Sequence, residues 1–116
     1  MGEVRTFFTI HGPKGRVTLE GLADTRATFT KAPVWVANQL GIELGFVVEV
    51  EMADGRTVER KAGLAEVEID DVRRPVLVTF SEGDEMPLVG LTTLETLWFR
   101  VNPLTRKLEK VKAIEY

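Results

Sequence analysis

The stretch Leu22-Ala23-Asp24-Thr25-Arg26-Ala27-Thr28 constrains this chain most. An apolar run ends at an acid, turns through Asp-Thr, and leads on to a short helix. Asp and Thr favour such turns because their side chains bond the neighbouring backbone. Further on, Pro87-Leu88-Val89-Gly90-Leu91 precedes Thr92-Thr93-Leu94-Glu95-Thr96-Leu97. Each half reads as a buried strand, a tight turn and a helix start. Two such halves imply a carboxylate held at the centre of a small β domain.

The rest of the chain is mostly strand. Residues 4–10 are rich in β-branched and aromatic side chains, and His11-Gly12-Pro13-Lys14-Gly15 reads as a turn with a solvated histidine. Residues 16–23 return, with Val17, Leu19 and Gly21 on one face. Pro33 suits the first position of a helix, and Gly41 suits the residue past its end. Between them Val36, Ala37 and Leu40 share a face, with Trp35 at the helix edge. Residues 46–52 alternate: Val48, Val50 and Met52 against Val47, Glu49 and Glu51. Ala53-Asp54-Gly55-Arg56 supplies a hairpin turn, and residues 57–61 return. A separate strand from Gly63 points Ala65, Val67 and Ile69 inward and Glu66, Glu68 and Asp70 outward. After a turn at Asp71-Val72-Arg73, residues 75–80 read as a strand buried on both faces. Thr92 and Glu95 have capping-box spacing. Residues 99–101 and 108–114 read as a last strand pair around Asn102-Pro103-Leu104-Thr105.

Composition removes several kinds of chemistry. With 116 residues the chain makes one domain, 1–116, with room for a core. A net charge of −3 gives nucleic acid nothing to attract it, and no basic run forms a stripe. There is no cysteine, so disulfides and thiolate chemistry are excluded. The single histidine, His11, reads as a turn residue and not as a catalytic base. Neither a metal nor an organic cofactor has a sequence signal; the acidic row at 66, 68 and 70 reads as a solvated strand face. No apolar stretch has the form of a signal peptide or membrane span, so a cytoplasmic address with no membrane partner is expected. Acid–base chemistry falls to the carboxylates.

The order of these motifs resembles the retropepsin-like aspartic proteases, the single-domain relatives of pepsin, in their bacterial and archaeal members. Residues 22–28 are similar to the family's Asp-Thr-Gly-Ala signature, and the helix with Pro33 and Leu40-Gly41 to the segment after it. Residues 50–56 resemble the flap hairpin, Leu88-Val89-Gly90 the apolar-Gly element supporting the active-site turn, and Val101-Asn102-Pro103 the closing hairpin. The resemblance spans about residues 15–112.

It implies an all-β fold, a small closed retropepsin-like acid-protease barrel with two short helices. It also implies a homodimer, because the chemistry needs two aspartates sharing one proton and each chain supplies one, Asp24. Thr25 would tie the two active-site turns together and Ala27 would line the cleft. Ala53, Asp54 and Gly55 would close as a flap over a peptide or protein substrate. Position 26 departs from the pattern, having Arg26 where the family has glycine. A Cβ there disfavours the family's backbone geometry, and a guanidinium crowds the cleft beside a carboxylate that must hold a proton. Three readings stay open. One is an aspartic peptidase weakened by Arg26. The second is a catalytically impaired dimer that binds peptides or acts as a scaffold. The third is another β-barrel in which Asp24-Thr25 is only a turn.

Overall fold

The structure, a computed structural model, describes residues 3–115; Met1, Gly2 and Tyr116 of the expected 1–116 domain lie outside them. Strand β1 (Glu3–Gly12) and β2 (Gly15–Asp24) pair antiparallel along their whole length, from Glu3↔Asp24 to Gly12↔Gly15. The turn is only Pro13-Lys14, so β1 runs further than expected. His11 is therefore a strand residue, not a solvated turn residue. Its side chain is 10% exposed, with Nε2 2.7 Å from Glu68 Oε1.

A short strand the sequence reading did not anticipate, β3 (Thr30–Pro33), separates the Asp24 turn from helix α1 (Val34–Leu40). Pro33 is the residue before the helix, in extended conformation, one place earlier than expected. Gly41 ends the helix with φ 69°, the left-handed geometry that favours glycine. Val36, Ala37 and Leu40 are buried and Trp35 lies outward, as the spacing implied.

Strand β4 (Phe46–Glu51) pairs with β5 (Thr57–Ile69), which is one long strand where two were expected. Gly63 does not interrupt it. A Cβ there would lie 2.4 Å from the Glu43 carbonyl oxygen, so glycine at this point serves a close backbone approach. The next turn is Asp70-Asp71, with Asp70 at φ 55°, and Val72 already belongs to β6 (Val72–Ser81). Strand β7 (Leu88–Val89) leads through Gly90 into α2 (Leu91–Leu97), and β8 (Phe99–Asn102) pairs with β9 (Lys107–Lys110). The final strand thus stops short of residue 114. Asn102 Oδ1 accepts from Leu104 N at 2.9 Å, which shapes the intervening turn.

The expected capping box does not form. Gly90 caps α2 without any side-chain bond. Thr92 instead donates its hydroxyl, at 2.8 Å, and its backbone N–H, at 3.0 Å, to the Thr28 carbonyl. Tertiary carbonyls thereby satisfy helix-start N–H groups that a cap would serve.

Pairing runs β1–β2–β7–β3–β6–β5 and returns to its start through β1–β5, with β4 added outside β5. The fold is therefore mainly β with two short helices. Phe8, Ile10, Val67, Val78 and Val89 from the strands meet Leu40, Leu94 and Leu97 from the helices in one buried cluster. Each such side chain contributes roughly 1.5–3 kcal/mol. Among the described residues no helix is long and apolar enough to cross a membrane.

Candidate functional site

The site begins where β2 runs out. Leu22 and Ala23 pair in parallel with Leu88 and Val89, and Asp24 follows, only 9% exposed. Its backbone carbonyl accepts from Ala27 N at 3.1 Å, and its Oδ1 accepts from Arg26 N at 2.9 Å. Two such bonds close a tight turn around the carboxylate. The start of α2 holds this turn from behind, with Leu91 N donating to the Ala27 carbonyl at 2.7 Å. Gly90 makes the approach possible: a Cβ there would lie 2.4 Å from the Phe29 carbonyl carbon. Val89 and Gly90 are accordingly buried support, while Leu88 reaches the cleft.

Arg26 folds back onto Asp24. Its Nε lies 3.0 Å from Oδ1 and its Nη2 3.1 Å from Oδ2, so the guanidinium grips both oxygens. These side-chain bonds hold the Asp24 carboxyl below its ordinary value, against the opposing effect of burial; the Arg26 backbone N–H adds to them. Arg26 does not take the backbone geometry that favours glycine. Among the described residues the non-glycine positions with positive φ are Asp70, Trp98 and Arg106. Arg26 is not one of them, because the turn closes through the Asp24 side chain and not through a left-handed residue.

Above Asp24 lies a cleft of about 450 Å³. Asp24, Arg26 and Ala27 line one side, and Val50, Met52 and Ala53 of the β4–β5 hairpin line the other. Phe29 and Leu88 add apolar wall. The structure therefore brings together Asp24, Arg26, Ala27, Ala53 and Leu88 of the sequence-derived set. Thr25 is exposed outside the lining. Asp54 and Gly55 form the hairpin's exposed tip, where Asp54 Oδ1 accepts from Arg56 N at 3.0 Å.

Three charged residues escaped the sequence reading. Lys31 and Arg60 line the cleft and converge on Glu85. Lys31 Nζ is 2.8 Å from Glu85 Oε1, and Arg60 Nη2 is 2.9 Å and 3.1 Å from its two oxygens. The Lys31 and Arg60 side chains are only 18% and 14% exposed. The Lys31 bond, more than the Arg60 bond, holds the Glu85 carboxyl below its ordinary value, while burial opposes both. Arg60 was legible: it alternates with Val58 and Ala62, placing a cation on the inward face. Lys31 was not, because β3 itself went unread.

Among the described residues no three His, Asp or Glu side chains are placed to hold a metal ion. Glu66 pairs with Arg73, and Glu68 with His11. The cleft offers hydrogen-bonding charge, an apolar wall and an ion-paired carboxylate. Compared with protein-family models, curated proteins and solved structures, the chain matches none.

Proposed function

We infer that this chain is a peptide-binding homodimer of the retropepsin-like kind in which Arg26 suppresses cleavage. One observation carries the reading: the two-point grip of Arg26 on Asp24. Aspartic peptidase chemistry needs a carboxyl pair sharing one proton, one acid activating water and the other protonating the leaving amine. A guanidinium bonded to both oxygens favours the charged form and takes the lone pairs that would receive water's proton. What remains useful is the cleft. Its hairpin wall and apolar lining suit an extended peptide, which bonds through its main chain and places alternate side chains in pockets. The two copies of Asp24 would face each other across a two-fold axis.

An active peptidase is the second reading. It is favoured by the Arg26 side chain being 66% exposed, which leaves it room to turn away from Asp24.

Cleavage of unfolded casein from acid to neutral pH separates the two, with sedimentation to read the dimer. The expected result is a dimer that does not cleave, cleavage by Arg26→Gly, and none by Asp24→Asn/Arg26→Gly. Robust cleavage by the unaltered protein at neutral pH, abolished by Asp24→Asn, would establish the peptidase instead. A monomer at all concentrations would remove both.

A further inference from the structure

The peptide-binding reading leaves open what the cleft selects, and the charges on its wall bear on that. Lys31 comes from β3 and Arg60 from β5, two strands that are not neighbours in the sheet. Both cations are mostly buried, and among the described residues the carboxylate bonded to them is Glu85 alone. Two cations on one carboxylate leave a net positive charge at this end. One carboxylate shared by two mostly buried cations compensates only half of their charge, so the position favours a second anionic group. The other charges on the cleft do not cancel it. Asp24 and Arg26 neutralise each other, and Glu51 is exposed on the hairpin, where solvent and salt screen it.

Donor capacity gives the same answer. An ammonium has three N–H donors and a guanidinium five. Glu85 engages Lys31 Nζ and Arg60 Nη2, leaving other donors on each group for a ligand. Glu85 sits between β6 and β7, outside both strands, so its carboxylate can give way without breaking a sheet pairing. Beside the cations, Met52 and Leu88 supply an apolar surface.

The geometry points to a carboxylate-reading subsite at Lys31 and Arg60, so that the cleft selects a peptide carrying an acidic group next to an apolar residue. Glu85 is the intramolecular competitor for the same two cations. The acidic group is a Glu or Asp side chain or a peptide's C-terminal carboxylate; the chemistry is the same for each. The inference rests on the peptide-binding reading for the peptide, but not for the carboxylate.

The test uses the whole 116-residue chain and three fluorescent peptides of one apolar sequence. One is capped with a central Glu, one is capped with Gln in its place, and one has Gln and a free C-terminus. The Glu peptide is expected to bind about tenfold tighter than the capped Gln peptide. Arg60→Met and Lys31→Met should each bring the ratio of Glu-peptide to Gln-peptide affinity close to one, whatever happens to the affinity for both. Glu85→Gln should enlarge that ratio. Tighter binding of the free-terminus peptide than of the Glu peptide assigns the subsite to chain ends, whereas the reverse assigns it to side chains; both support it. Equal binding of all three overturns the subsite and leaves the peptide reading standing. If no peptide binds, the Arg60 Nε resonance decides. A shift caused by acetyl-glutamate-amide and not by acetyl-glutamine-amide keeps the subsite and removes the peptide reading, and no shift with either removes both.

Discussion

Thr30 donates its hydroxyl to the Thr93 hydroxyl at 2.6 Å, and neither residue has any exposed surface. The bond joins β3 to α2 directly behind the Asp24 turn. Thr30 Oγ1 also accepts from Gly90 N at 3.3 Å, so one hydroxyl serves both sides of the support. Replacing Thr93 by Val keeps the shape but strands the Thr30 proton in a dry site. Urea unfolding is expected to show Thr93→Val destabilised by about 1–3 kcal/mol. The Thr30→Val/Thr93→Val double variant should cost less than the sum of the singles, since the two share one bond.

Gly90 tolerates no side chain. Ala there would drive its Cβ to 2.4 Å from Phe29 backbone, which cannot move aside as a flexible side chain would. Gly90→Ala is expected to lose about 1–3 kcal/mol, read as a lower denaturant midpoint with little change in slope. Under the peptide-binding reading, affinity for peptide should fall as well, because the strained backbone carries the Asp24 turn.

The Asp24 carboxyl titrates lower in the folded chain than its ordinary value, chiefly through Arg26. A depressed acid stabilises the fold fully above its unfolded value of about 3.9, and this contribution disappears as pH falls through the lower folded value. Unfolding of the unaltered protein and of Asp24→Asn should therefore differ at neutral pH and converge in strong acid. The exposure of Arg26 keeps the difference to at most about 1 kcal/mol. Glu85 is shifted the same way, so Asp24→Asn retains some acid sensitivity of its own.

His11 closes the sheet. It lies on β1 where that strand meets β5, and it holds Glu68 across the junction. His11→Ala removes a mostly buried hydrogen-bond partner from the Glu68 carboxylate. The expected loss is about 1–3 kcal/mol, with hydrogen exchange rising first at residues 66–68.

How far the sequence could be read depended on whether a residue's surroundings were local. The hairpin at Asp54-Gly55 and the end of α1 at Gly41 were legible because a turn or a cap is decided within a few residues. Asp24 stood out through its neighbours Thr25 and Ala27. The capping box failed at Thr92 because the Thr28 carbonyl, remote in sequence, took the hydroxyl and N–H of that residue. β3 went unread because four residues, 30–33, carry too little periodicity to separate from a turn and a helix start. With β3 went Lys31, and with it the cluster on Glu85. Phe7, 66% exposed beside the buried Phe8, shows the opposite limit: nothing local to residues 4–10 marks which of two adjacent phenylalanines faces outward.

The ordinary backbone at Arg26 has an evolutionary consequence under the peptide-binding reading. Exchange of that residue for glycine asks nothing of the main chain beyond the roughly 0.5–1 kcal/mol of extra chain entropy that glycine brings. Holding a peptide and cutting it would then be separated by a single guanidinium, and a lineage can cross that line in either direction while its architecture stays as it was.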